Sequence, residues 1–490
     1  MSQRIFSRRI FSRRRAVATL ASSVAATAIL RDRAFAAAPG PVMLALSEFM
    51  AGATTRALPE SVVEHARLHV IDTFAAMISG TQLAPGEAAL TFARAQSGTG
   101  RATVVGSALT TGAIEAALAN GVLAHADETD DSHGPSQSHP GAPVVAAALA
   151  AGEEYGISGD RFLRAVTLGY DVGPRVTMAM GGVDFRNESH QSTHAIAGAF
   201  GAAAAAGLAA GLSAQQMRWL LDYTAQQSSG IASWARDPDH ILKGFVFGGM
   251  PARSGVTAAI LVKLGWTGID DVFAGDDNFF AAHAPKARPQ LLIDALGSRY
   301  EVTQTDVKKW TVGTPIQGPL DAVVNIRGKR PFEADDVRSV IVRLAPTVAA
   351  VVDNRELPDI SLQHMIAVML VDKTATFKAV HDVARMNDAA ILRHRAKVQL
   401  VKDDSLAQLL PARVTIVEIT LTDGTRLVER VDAVRGTVRN PMTRQEVVEK
   451  ARDLIAPVLG TSQTAKLIDA VLGLDRLPAV RELKPLLQRA

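Results

Sequence analysis

The chain has 490 residues, 48% hydrophobic but only 5% aromatic, and a net charge of +3. That length allows two or three domains with sizeable cores. Much of the basic excess lies near the N-terminus, so the charge gives no argument for a nucleic-acid partner. The absence of cysteine excludes disulfides, thiolate nucleophiles, zinc–thiolate sites and cysteine-ligated iron–sulfur clusters.

Residues 1–37 read as a targeting segment. Ser7-Arg8-Arg9-Ile10-Phe11 has the twin-arginine pattern, and Ser12-Arg13-Arg14-Arg15 repeats it. A weakly apolar run from Ala16 to Leu30 follows, then Ala34-Phe35-Ala36, an A-x-A cleavage site. An Arg- and Ser-rich start also suits a mitochondrial presequence, but paired arginines with A-x-A favour export. The expectation is twin-arginine export, cleavage near residue 36 or 37, a periplasmic protein and no stable membrane anchoring, since the run is short and alanine-rich.

From Val42 to Phe280 apolar residues recur at three- and four-residue spacing, with Gly or Pro between segments, as in Ser61–Ile78 and Ala113–Ala126. This is the pattern of packed helices. Within it lies the most informative stretch, NGVLAHADETDDSHGPSQSHPGA at 120–142. Acids (Asp127, Glu128, Asp130, Asp131) and histidines (His125, His133, His139) crowd between two segments that read as buried helices. Such charges are expected to face a cleft, where acid/base groups are useful. Two other readings are open: the acids cap the helix that begins near His139-Pro140, or the cluster ligates a metal. Further on, Ala195 to Leu212 is nearly all Ala, Gly, Ile, Leu and Phe. It reads as a helix buried on every side rather than a membrane span.

Around Asp276 to Tyr300 the texture changes. Ser339–Ala345 and Ala412–Val431 are β-type runs, and Asp423-Gly424 between alternating segments signals a hairpin. Leu362–Leu370 is helical, so the middle of the chain reads as α+β. After Pro441 the pattern is helical again. The fold class is therefore mainly α: a large all-helical domain, discontinuous over 38–285 and 437–490, with a smaller α+β domain over 286–436. A cleft between them is a common place for a small-molecule site.

The segment at 120–142, His69–Gly80, Gly198–Ser213, Leu242-Lys243-Gly244 with Gly249, Leu264–Gly275, Ser361–Asp372 and Leu421–Pro441 occur in the order found in the MmgE/PrpD family. The chain resembles that family, which includes 2-methylcitrate dehydratase, cis-aconitate decarboxylase and an iminodisuccinate epimerase. The resemblance implies a helical domain with an α+β lid, a homodimer, no metal or organic cofactor, and a small di- or tricarboxylate substrate.

It also implies the site. Carried over by position, Glu128, Ser132, His139, Lys243 and Lys308 surround the substrate, with Asp127 and Asp131 in the same motif. Lys243 and Lys308 would bind carboxylates as point charges. His139 would shuttle the proton, and Asp127, Glu128 and Asp131 would orient these groups or share the acid role. Departures occur where members often carry His, Tyr and His. Here Ser192 stands with His190 and His194 on either side, His364 replaces the tyrosine, and Gln317 replaces the second histidine. His194 and His364 are expected to bind substrate, and Arg236 and Arg253, which flank the Lys243 segment, to contribute to an anion pocket. The expected activity is that of a cofactor-independent lyase, foremost a dehydratase, with decarboxylation or epimerisation as alternatives. A metal-dependent hydrolase using His125, His133 and His139 and a non-catalytic periplasmic carboxylate-binding protein are the rivals from other classes.

Overall fold

The computed structural model describes residues 38–489 apart from Pro411. The twin-arginine segment expected over 1–37 lies outside the described residues.

The body is helical, and its core is built on small side chains. Helices α1 (Glu60–Gly80), α2 (Ala113–Ala124), α3 (Gly141–Tyr155) and α4 (Gly159–Met180) form the body with α5 (Thr193–Ala210) and α6 (Met250–Lys263), and α3, α4 and α6 pack directly on α5. Every residue of α5 is buried, as its uniform composition requires. Alanine and glycine let its neighbours approach closely: a Cβ on Gly173 of α4 would stand 2.3 Å from the Ala197 carbonyl oxygen. The apolar run is thus the body's central helix.

The lid is organised around one sheet. Helix α7 (Thr314–Lys329) leads into strand β1 (Val337–Leu344), followed by α8 (Leu362–Asp372), the short α9 (Phe377–His381), β2 (Val398–Lys402), β3 (Thr415–Leu421) and β4 (Arg426–Val431). The order is β2-β1-β3-β4. Strands β1 and β2 are parallel (Val342 opposite Leu400), and β1 and β3 antiparallel (Val340 opposite Ile419). Strands β3 and β4 form the expected hairpin, Ile419 opposite Leu427, with Gly424 at φ +88° in its turn. Alternate residues of β3 turn inward, and α7 and α8 cover that face.

After the sheet the chain returns to the body, as expected. Helix α10 (Arg444–Leu459) starts with a reciprocal Thr443–Glu446 capping box and packs on α1. The two cores divide between Val307 and Val312: Leu292, Tyr300, Val302 and Val307 join the body, and Val312 opens the lid. The stretch 286–307, assigned from sequence to the lid, packs with the helices because its apolar residues face them.

Candidate active site

Helix α2 ends at His125, α3 begins at Gly141, and the acidic segment is wound between them. One side of that segment is structural. The Asp131 carboxylate accepts from the Gly141 N–H (3.0 Å) and the Tyr170 hydroxyl (2.5 Å), and it lies 2.8 Å from His69 Nδ1. Glycine at 141 leaves room for this network, because a Cβ there would sit 2.9 Å from Asp131 Oδ2 and 2.8 Å from the Tyr170 oxygen and push those side chains apart. Buried Lys450 of α10 donates to Asp72 Oδ1 (2.6 Å) and to the Thr129 carbonyl (2.9 Å). The Ser132 backbone pairs with Asp306 in both directions, at 2.9 and 2.8 Å. His133 is held by the Ser136 hydroxyl at 2.7 Å and lies 3.4 Å from Glu301 Oε2. The capping reading therefore describes Asp131 alone, and Ser132 acts here through its backbone.

The opposite side collects the charges. Asp130 sits between two imidazoles, its Oδ2 2.9 Å from His125 Nδ1 and its Oδ1 3.2 Å from His139 Nδ1, with Lys308 Nζ 3.6 Å away. His139 Nδ1 is also 2.6 Å from the Asp131 carbonyl oxygen. A proton on Nδ1 satisfies these acceptors and leaves Nε2 as the basic atom. Glu128 is ion-paired with Lys243, and its other oxygen is 3.7 Å from Lys308 Nζ, which also donates to the Glu128 carbonyl at 2.8 Å. Asp127 accepts from the Thr129 N–H (2.8 Å) and hydroxyl (2.7 Å) and faces His381 Nε2 of the lid at 2.9 Å.

Aromatic packing closes the group. His194, at the start of α5, stacks on Phe247 with ring centroids 3.8 Å apart and lies 5.1 Å from His139. His240 lies 5.2 Å from His125 and holds a left-handed backbone at φ +67°, a strained conformation for a non-glycine residue. The turn that carries Lys243 and Phe247 reaches α2 because a Cβ on Gly248 would stand 1.9 Å from the Gly121 carbonyl oxygen. The residues are nearly shut off from solvent, with His125 and Asp130 at 0% and His139 at 9% exposure.

Burial and charge pull these groups apart. Burial would raise Glu128 and Asp130, but Lys243 and Lys308 hold Glu128 well below the usual carboxylate range, and His125, His139 and Lys308 do so for Asp130. Burial lowers His139 despite Asp130, and lowers His194 and His240 strongly, so these rings are neutral. His381 moves the other way: burial opposes its charge, but Asp127 raises it above the ordinary value. Asp359, in the lid turn Pro358–Ile360, is pushed up to about 6 by burial and by its carboxylate neighbours Glu128 and Asp127, against the pull of His381.

Sequence reasoning places Glu128, Asp127, His139, Lys243, Lys308 and His194 in one group in the structure. His364 is not among them. It is buried in the lid with both ring nitrogens unpartnered, beside the charges of Arg395, Arg385 and Asp382, and burial drives it down to about 4. Its ring makes no hydrogen bond and no aromatic contact with the group around Asp130. Gln317 spends its side chain on the backbone of Trp310 and Val312. Ser192 caps α5, His190 is exposed, and so are Arg236 and Arg253. Asp130, His240, Asp359 and His381 had no assigned role. His240 stands three positions before Lys243 and could have been found there, whereas nothing local marks His381. His125 with Asp130 and His139, or with Glu128 and His240, would be compact enough to hold a cation. Both carboxylates, however, already have lysine ammonium groups beside them.

Residues 44–292 match the model of the MmgE/PrpD N-terminal domain, and residues 310–476 that of the MmgE/PrpD C-terminal domain. Among curated proteins, the chain is similar to a cis-aconitate decarboxylase of Aspergillus terreus, 26% identical over 461 residues, covering 88% of this chain and 92% of that one. The human cis-aconitate decarboxylase is 25% identical over 456 residues, covering 88% of this chain and 91% of that one. The mouse protein of the same name is 26% identical over 392 residues, covering 74% and 76%.

Proposed function

The chain belongs to the MmgE/PrpD family, and on that premise we propose that it is a cofactor-independent lyase acting on a small polycarboxylate. The observation that carries the reading is the setting of His139, a buried neutral imidazole. Its Nδ1 is engaged by Asp131 and Asp130, its Nε2 is left to act, and Lys243 and Lys308 stand beside it. A substrate carboxylate would take the place of Glu128 on Lys243, and Lys308 would hold a second. Charge building on the carbon next to a bound carboxylate spreads into that carboxylate and is stabilised by the fixed ammonium groups. His139 Nε2 then takes or returns the proton.

Decarboxylation is favoured over the dehydration expected from sequence, because the similar curated proteins are cis-aconitate decarboxylases. The departures at Ser192, Gln317 and His364 favour a substrate other than cis-aconitate. Dehydration is the second reading, and Asp359 supports it: a carboxyl raised to about 6 is suited to protonate a leaving hydroxide.

Proton NMR in D₂O, with the mature protein, a panel of di- and tricarboxylates, and EDTA present or absent, tests the reading. Turnover should survive EDTA, with deuterium entering next to a carboxylate, and His139→Asn should slow it by about 10²–10⁴-fold. Activity abolished by EDTA refutes the cofactor-free mechanism. Signals that broaden without conversion identify a binding protein instead.

A further inference from the structure

We propose that Arg186 and Trp234 form an anion subsite beside Lys243 that takes an acidic arm of the substrate, and that they select a tricarboxylate over the dicarboxylate lacking that arm. The inference rests on the lyase reading above and deepens it. Lys243 and Lys308 hold the carboxylates of the reacting part, and this pair holds a third.

Arg186 sits on the short helix Val183–Ser189 of the body. Its side chain is half-buried, and its one hydrogen bond runs from Nη1 to Gln137 Oε1 at 2.9 Å. Gln137 belongs to the 120–142 segment and is pinned there. Its side-chain amide donates to the Gly134 carbonyl at 2.6 Å, and its own carbonyl accepts from the Thr193 hydroxyl at 2.7 Å. A neutral amide thus orients the guanidinium and leaves its charge unanswered. Among the described residues no carboxylate forms an ion pair with Arg186, and burial lowers its pKa with no acidic neighbour opposing.

Trp234 joins Arg186 to the reacting group. The Gln191–Ile231 bridge, with the Ala232 N–H on the His190 carbonyl at 2.9 Å, ties the turn Ala232–Arg236 to the start of α5, which carries His194. Three residues on from Trp234, Asp237 accepts from the Lys243 N–H at 2.7 Å. The indole is set between these two attachments. Its ring lies edge-on to His194 at 5.6 Å and 4.7 Å from Phe247. Lys243 Nζ is 5.7 Å and the Arg186 guanidinium 5.9 Å from the same ring. His194 in turn lies 5.1 Å from His139. An anion at Arg186 is therefore one ring away from Lys243 and two from His139, within reach of a short carbon chain.

The indole Nε1–H is buried and makes no hydrogen bond. A buried donor without an acceptor is costly, and so is a guanidinium drawn partly out of water without a counter-ion. One carboxylate, accepting from the Arg186 fork and from the indole N–H, answers both. A neutral or apolar arm answers neither. Arg236 and Arg253, expected to serve an anion pocket, are exposed, and Arg186 takes that part.

The test reads binding as well as turnover with the full mature protein. Isothermal titration compares tricarballylate with glutarate, which share a carbon chain, differ by one carboxylate and carry no hydroxyl or double bond to react at. Wild type should bind tricarballylate about 10- to 100-fold more tightly, the range of a charge-assisted hydrogen bond. Arg186→Met should weaken tricarballylate by that factor and leave glutarate unchanged. Arg186→Lys, which keeps the charge but not the fork, should fall between. Trp234→Phe keeps a ring against Phe247 and removes the N–H, and should weaken tricarballylate by about 2- to 10-fold. With the substrate found by NMR, the same variants should raise KM with little change in kcat. The proposal is overturned if wild type binds the two ligands alike or binds neither. It is also overturned if Arg186→Met weakens both equally, as loss of the Gln137 contact alone would; if that variant does not fold, Trp234→Phe decides by the same comparison. Turnover of the polycarboxylate panel by wild type judges the lyase reading separately: selective binding without turnover removes the lyase and keeps the subsite, and turnover without selectivity does the reverse.

Discussion

Replacing Lys450 by methionine separates the structural from the functional debt the site owes to the C-terminal helix. The side chain is 5% exposed, and its ammonium serves two acceptors, the Asp72 carboxylate at 2.6 Å and the Thr129 carbonyl at 2.9 Å. Methionine fills a similar volume but leaves Asp72 buried without a partner, a loss of about 3–5 kcal/mol. At roughly 2 °C per kcal/mol for a large domain, the melting temperature should fall by about 6–10 °C. Thr129 also holds Asp127 through its N–H and hydroxyl, so freeing its carbonyl lets that carboxylate drift. A displacement of about 1 Å at reacting groups can cost ~10²-fold in rate, and we expect kcat lower by about 10- to 100-fold. The double variant Lys450→Met/Asp72→Asn removes both buried charges. It should regain most of the melting temperature but little of the rate, because the Thr129 carbonyl still lacks its donor. Differential scanning fluorimetry beside the NMR turnover assay reads both quantities. A double variant with wild-type kcat would refute positioning through Thr129.

Three further outcomes follow from other parts of the molecule. Burial raises the Asp171 carboxyl to about 7 despite Arg175, so between about pH 4 and 7 the folded state binds a proton that the unfolded state has released. Stability from this group falls as pH rises through that window, and Asp171→Asn should remove a penalty of up to about 4 kcal/mol at pH 8. Its melting temperature should exceed wild type at pH 8 and converge with it near pH 4; a gap that widens toward acid contradicts the assignment. Gly248→Ala puts a methyl 1.9 Å from the Gly121 carbonyl oxygen, backbone that cannot swing aside. It should cost about 1–3 kcal/mol and reduce turnover by shifting Lys243 from Glu128, whereas wild-type melting and kcat together would show that the contact is relieved elsewhere. Arg8→Lys/Arg9→Lys should retain the protein in the cytoplasm, while N-terminal sequencing of the exported wild type should begin just after Ala36 or Ala37; export of the variant would discard the twin-arginine reading.

What the sequence discloses here follows the range over which its signals act. Helical spacing and an all-apolar Ala/Gly run are local, and they located the body and its central helix; Asp423-Gly424 located the hairpin for the same reason. The domain boundary was less legible. The stretch 286–307 lacks strong periodicity, and only its tertiary contacts assign Tyr300 and Val302 to the body. His364 and His381 illustrate a sharper limit. His364 sits in a recognisable motif, but every residue from Leu362 to Leu370 of α8 is buried, so no alternation of exposed and buried positions tells which way the ring turns. His381 sits in no motif and reaches the cleft because α9 straddles two cores.

Asp130 and Asp131 carry the point furthest. They are chemically identical and adjacent in sequence, and both are fully buried. One bridges His125 and His139 beside Lys308; the other ties Gly141, Tyr170 and His69 together behind it. A segment dense in acids and histidines announces chemistry, but the division of labour within it depends on which side each backbone position presents. Here Lys450, Asp306 and Tyr170 fix that from helices and loops distant in sequence. The same contacts explain why the segment carries more acids than one reaction needs: some place the others.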